Sequence, residues 1–218
     1  MLSIFEELFL LALDEEKGRV LSFAKKNLPY GLSGGILAEL TFMGKVCSNE
    51  KHRLELVDVS LTGDQILDEA IMDIGSSEKL RKLSYWVSEF SSKPKKLRER
   101  IGERLVEKKL LSQEDRRFFW STPAAEDSAL ALTKFDLKTP LRVSILSNDD
   151  GVDPRNMALL SLASASGLLS LIFTQDELPI ARHRIHEKVI RGALGNPVMQ
   201  SIEEIEQAII SNLDEDVD

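Results

Sequence analysis

MALLSLASASGLLSLIF, residues 157–173, runs without a charge or a proline. At 1.5 Å rise per residue a helix over this stretch is ~25 Å long. It is apolar nearly all round, as expected of a helix surrounded by protein. A membrane span is the rival reading. The run falls short of the usual ~20 apolar residues, and four serines with Gly167 dilute it. Ala158, Ala163, Ala165 and Gly167 instead let neighbouring helices come close, so the stretch reads as the central core helix.

Working outward, 218 residues suffice for one large or two small domains, each with a real core. A content of 43% hydrophobic and 29% charged residues is that of an ordinary globular protein. The net charge of −8 opposes binding to nucleic acid and to anionic membranes, so any such binding needs a local basic patch. The single Cys47 excludes an internal disulfide and points to a reducing compartment. Residues 1–7, MLSIFEE, lack the basic region of a signal peptide, which makes a cytoplasmic protein the default.

Ser3 and Glu6 form a capping box that opens an amphipathic helix to about Leu13. Arg19–Phe23 reads as a short strand. A helix over Leu32–Met43 ends at Gly44, and Lys45–Asn49 with Arg53–Val59 reads as a hairpin. Helices follow from Thr62-Gly63-Asp64, with Ile66, Leu67, Ala70, Ile71 and Ile74 inward. The next spans about Glu78–Phe90, with Leu80, Leu83, Val87 and Phe90 inward. Pro94 begins a basic helix, Lys95–Lys109, whose buried stripe is Leu97, Ile101 and Leu105. Leu110–Ser112 and Arg117–Ser121 suggest a second hairpin. The order helix–helix–hairpin thus occurs twice and resembles a winged helix. Asp127–Leu146 is ambiguous but reads as mostly helical, and Glu177–Ala193 and Ile202–Leu213 complete the helices. The expected architecture is mainly α: one helical domain over residues 1–213 around a buried core helix, with short β-hairpins, one of them apolar-tipped, and an acidic tail over 214–218.

Lys93–Lys109 carries eight basic residues and three glutamates, a net of +5, which leaves −13 on the rest of the chain. A basic helix on an acidic protein suggests an anionic partner. The bland alternative is a solvated face on which Lys96, Arg100 and Arg104 pair with Glu99, Glu103 and Glu107 at i, i+3. Just beyond, Arg116 and Arg117 precede Phe118, Phe119 and Trp120 at the second hairpin. Aromatics at a tip flanked by cations suit a bilayer interface; a strand with one aromatic turned inward fits as well. Each cation near an anionic surface contributes ~1 kcal/mol, and each buried aromatic adds roughly 1.5–3 kcal/mol.

Other motifs carry less. Gly31-Leu32-Ser33-Gly34-Gly35 matches G-x-S-x-G, but no strand precedes it as a nucleophile elbow requires. His183, His186 and Glu187 share a helix, yet Arg182, Arg184 and Lys188 crowd them, which disfavours a metal site. No catalytic constellation, metal site or cofactor fingerprint stands out.

Five blocks in order then resemble the Golgi phosphoprotein 3 family: SIFEELFLLAL (3–13), GLSGGILAEL (31–40), TGDQILDEA (62–70), LRERIGERLVEK (97–108) and DPRNMALLSLASAS (153–166). The resemblance covers nearly the whole chain. It implies a mostly helical, non-enzymatic adaptor that binds phosphatidylinositol-4-phosphate or another anionic lipid, on the cytosolic face of the Golgi if the protein is eukaryotic. It also implies a hydrophobic hairpin that enters the membrane, with Phe118, Phe119 and Trp120 at its tip. The family's headgroup pocket uses a basic pair three residues apart, a tryptophan and a further arginine. The pair matches Lys95 and Arg98; the tryptophan position is Ala24 and the arginine position Ser33, so half the pocket is missing. Lys96, Arg100, Arg104, Arg116 and Arg117 would form the supporting basic patch. Losing one arginine's charge-assisted bond, worth ~1.5–3 kcal/mol, weakens headgroup binding tenfold or more. The chain also starts at the first helix without the family's basic N-terminal arm, as a trimmed, prokaryotic-type relative would. The expectation is therefore a cytoplasmic, peripherally membrane-associated protein. Its partners would be anionic lipid, a protein and, as in some relatives, further copies of itself. A winged-helix-like nucleic-acid or protein-interaction module is the alternative, with nucleic acid disfavoured by the net charge.

Overall fold

The Ser3 amide donates to Glu6 Oε2 at 2.8 Å and opens α1 (Ile4–Leu11), whose first turn is the expected capping arrangement. In the computed structural model, residues 2–14, 18–114, 119–121, 129–147, 153–194 and 196–215 are described; residues 94, 112–114, 119–121 and 129–132 are described by their backbone alone. After α1, Val20 forms an isolated bridge with Leu13 and a 3-10 turn follows over Ser22–Ala24, where a strand is expected from the sequence.

Next comes α2 (Leu28–Phe42), which begins four residues before the expected Leu32, with Pro29 in its first turn. The first hairpin is β1 (Val46–Ser48) with β2 (Leu54–Leu56), antiparallel with Cys47 opposite Glu55. Asp64 caps α3 (Gln65–Ser76) through the amides of Ile66 and Leu67. The expected apolar face of α3 is buried.

The helix expected from Glu78 instead starts at Leu83, as α4 (Leu83–Ser91). The residues before it are drawn to the hairpin. Leu54 N donates to Arg81 O at 2.9 Å, and Arg53 bridges Lys82. Leu80, expected inward, is therefore exposed. Then follow α5 (Pro94–Glu107), β3 (Ser112–Glu114), β4 (Phe119–Ser121) and α6 (Ala129–Leu146). The second hairpin pairs Gln113 with Trp120, so Gln113 and Glu114 lie in a strand rather than the turn.

The apolar run 157–173 is not one helix. It divides into α7 (Pro154–Ala165), opened by Asp153, and a 3-10 turn at Leu169–Leu171. Gly167 at φ +68° makes the break. Its amide reaches Ser164 O, while the Leu168 amide reaches Ala163 O at 2.7 Å, which is a Schellman ending. The last elements are α8 (Leu178–Ala193) and α9 (Pro197–Glu215).

The nine α-helices described make the fold mainly helical, with two small two-stranded sheets. The centre of the core is shared. Residues Met157–Ala163 of α7 are buried, but α2 is the more enclosed helix, with thirteen of its fifteen residues buried. It packs against α1, α3, α4, α7 and α9. Close approach explains its glycines. A Cβ on Gly35 would lie 2.9 Å from Phe5 Cβ and 3.0 Å from Phe5 Cα, and one on Gly34 would lie 2.7 Å from Leu162 and Ile209. The G-x-S-x-G spacing is thus a packing face. No helix among the described residues is long and apolar enough to cross a membrane.

Candidate functional site

The expected stripe sets the orientation of α5. Leu97, Ile101 and Leu105 are buried against the core, and the basic side chains are left to the remaining faces. They do not form one uniform patch. Over the first turn, Lys93, Lys95 and Lys96 are exposed. The Lys95 side chain is 75% accessible, with Glu99 Oε1 at 4.0 Å from its Nζ. Arg98 is half-buried. Lys93, Lys96 and Arg100 line a cleft of about 120 Å³ with Glu69, Asp73 and Glu89, between α3, α4 and α5.

Further along, the cations turn to neighbouring helices rather than to Glu103 and Glu107. Arg100 grips both Glu69 oxygens, at 2.6 and 2.9 Å. Arg104 meets Asp64 Oδ1 at 2.5 Å and Glu6 Oε1 at 3.2 Å. Lys108 Nζ lies 2.7 Å from both Glu6 oxygens. Burial works to raise the Glu6 carboxyl, but Lys108, the Ser3 amide and Arg104 outweigh it and hold it below its usual range. Two expected members of the supporting patch, Arg100 and Arg104, thus serve to fasten α5 to α3 and α1.

The two remaining pocket positions are interior. Ala24 and Ser33 are fully buried, and the Ser33 hydroxyl donates to Pro29 O at 2.8 Å within α2. Neither offers a polar atom at the surface.

The second hairpin leaves the opposite end of α5 from Lys95 and Arg98. From Lys95 to Glu107 is ~18 Å of helix. Lys109 then turns the chain at φ +60°, Leu111 is buried, and β3 contacts α5. The backbone pairing Glu114–Phe119 and Gln113–Trp120 is described. Arg116, Arg117 and Phe118, with the side chains of Phe119 and Trp120, lie outside the described residues.

His183 is exposed on α8, with Nε2 3.6 Å from Glu187, and His186 is exposed beside it. Among the described residues no three His, Cys, Asp or Glu side chains gather as metal ligands would.

Sequence reasoning missed a buried ionic cluster at the start of α1. Arg155 Nη2 donates to Glu39 Oε1 at 2.5 Å and to Leu2 O at 2.7 Å, while the Ile4 amide also reaches Glu39 Oε1. The available signal was Glu39 itself, a lone charge in the apolar run 31–40. A buried charge needs a partner.

Comparisons with known proteins place the chain in a family. The model of the family described as Golgi phosphoprotein 3 (GPP34) matches residues 4–208. Vacuolar protein sorting-associated protein 74 of Schizosaccharomyces pombe is 35% identical over 137 residues, covering 54% of this chain and 40% of that protein. Its namesake in Eremothecium gossypii is 31% identical over 138 residues, covering 54% of this chain and 41% of that protein. The match thus spans about two-fifths of these relatives' own length. With its helical fold and a family match that runs through eight of its nine described helices and into α9, the chain belongs to the Golgi phosphoprotein 3 family.

Proposed function

We propose that this protein is a non-enzymatic adaptor that rests peripherally on a membrane by binding anionic lipid. The observation that carries the reading is the division of labour along α5. The cations of its later turns are spent on Glu69, Asp64 and Glu6. Lys93, Lys95 and Lys96 of its first turn face solvent on a molecule of net charge −8. Lys95 and Arg98, one turn apart, attract the lipid phosphate, with Lys96 beside them. Phe118, Phe119 and Trp120 add apolar insertion, and Arg116 and Arg117 add charge behind them. A few cations at ~1 kcal/mol each bind only weakly, so this second contribution is required for stable residence.

Burial of Ala24 and Ser33 favours general recognition of anionic headgroups, phosphoinositides among them, over a pocket specific for a 4-phosphate. The family name and the sorting role in the relatives' names support an adaptor on the cytosolic face of a Golgi-type membrane, working as one domain over residues 1–213. A protein cargo and self-association fit the same role.

Vesicle flotation tests it. Native protein should float with phosphatidylcholine vesicles only when phosphatidylserine or phosphatidylinositol-4-phosphate is added. Arg98→Glu combined with Trp120→Ala should abolish flotation. Binding that ignores anionic lipid, or that survives this double substitution, overturns the proposal.

A further inference from the structure

We infer that the cleft between the first hairpin, α4 and α9 binds a small monoamine, with its ammonium group on Glu204. The cleft shares no residue with the membrane reading above and does not depend on it.

Its volume of about 450 Å³ falls within the ~300–1,000 Å³ of ordinary small-molecule sites. Its walls are fastened to one another. Asn49 Oδ1 accepts from the amides of Lys51 and Arg53, at 2.9 and 3.1 Å, and so fixes the hairpin tip. The Leu54 amide joins that hairpin to Arg81 O just before α4. Asn212 Nδ2 donates to Ser84 O at 3.0 Å and joins α4 to α9. Along α9, Gln200, Glu204, Gln207 and Ser211 recur at helical spacing on the face that lines the cleft.

Glu204 decides the chemistry. Its side chain is 15% accessible, with Oε1 at 2.9 Å from His52 Nδ1. Oε2 is buried and has no hydrogen-bond partner among the described residues. A carboxylate so placed needs more donors than one imidazole supplies. The His52 side chain is 70% exposed at the hairpin tip. Its ring can turn into water without leaving a buried group behind, which uncovers the carboxylate. An ammonium group, with three N–H donors, then serves both oxygens.

The remaining lining selects a single positive charge. Glu203 and Glu204 face one lysine, Lys82, so with His52 neutral the cleft carries a net charge of −1. A second cation would meet Lys82 and the N-terminus of α4, whose first turn holds no acidic residue. An anion would meet both glutamates on a molecule of net charge −8. Leu83 and Ala208 are buried in the wall and suit methylene groups, while Ser84 and Gln207 suit a hydroxyl.

Calorimetric titration of the native protein with aminohexanol, hexanediol and diaminohexane tests this, since the three have similar length and carry one, no and two positive charges. Aminohexanol should bind at least roughly tenfold more tightly than hexanediol, which lacks the charge-assisted bond, and more tightly than diaminohexane. Glu204→Gln should abolish the preference for aminohexanol over hexanediol, whereas Lys95→Glu/Arg98→Glu should bind like native protein. No binding of aminohexanol, equal binding of hexanediol, or a preference that survives Glu204→Gln overturns the inference. Tighter binding of diaminohexane overturns it in favour of a polybasic partner. The comparison of ligands on native protein decides the matter even where Glu204→Gln fails to fold.

Discussion

Glu7 stands half-buried in the first turn of α1, beside the Glu39–Arg155 pair. Burial pushes its carboxyl up to about 7; Arg155 opposes the shift, while Glu39, Glu6 and Asp153 reinforce it. The folded state therefore holds a proton that the unfolded chain, near its ordinary value of 4.5, releases. Between these values stability falls as pH rises, because the native state binds the extra proton. The full shift corresponds to ~3 kcal/mol lost by pH 8 relative to pH 4. Glu7→Gln should thus raise the Tm by several degrees at pH 8 and change it little at pH 5, as melting curves at the two values would show. An equal shift at both would mean that Glu7 is ionised throughout. Glu6 and Glu7 are visible in the sequence as first-turn acids. The bond between Glu39 and Arg155 is not, because 116 residues separate them.

Among the elements, α2 shows most clearly how spacing becomes packing. Gly35 faces the backbone of Phe5, so Gly35→Ala places a methyl group where α1 cannot yield. The helix gains ~1 kcal/mol of propensity from alanine, but overpacking of ~1–3 kcal/mol or more works against it. The variant should have a lower Tm in thermal denaturation; a higher Tm would mean that the helices part freely. For α5, the i, i+4, i+8 stripe made its buried face legible. Its outer face was not, because a lysine or arginine reads alike whether it meets water or a carboxylate from another helix. Arg100 and Arg104 look like surface charges in the sequence and prove to be fastenings. The start of α4 departs from the expected Glu78 for a related reason: local apolar spacing carries no sign of the hairpin that claims Arg81 and Lys82.

For the whole molecule, an overall charge of −8 sets the conditions that the proposed membrane binding must meet. Local cations attract an anionic bilayer at short range, and the rest of the protein repels it. Salt screens both beyond a Debye length of ~10 Å at 0.1 M, so in the proposed role the contacts closest to the surface would carry the binding. With several lysines worth ~1 kcal/mol each, affinity for phosphatidylserine vesicles should fall tenfold or more between ~0.05 and ~0.5 M salt. Sedimentation at graded salt measures this. Affinity that does not change would assign binding to apolar insertion alone.

By itself the amino-acid order determined the helical class, most helix faces, both hairpins and the family, since these follow from periodicity, caps and turn residues that act within a few positions. Only the tertiary structure decided that the apolar run 157–173 bends at Gly167 and shares the centre with α2, that Ala24 and Ser33 are interior, and that one half of α5 is spent inward while the other meets solvent. The reason is range. Local patterns state which side of an element is apolar, but burial and charge pairing depend on which distant element arrives beside it.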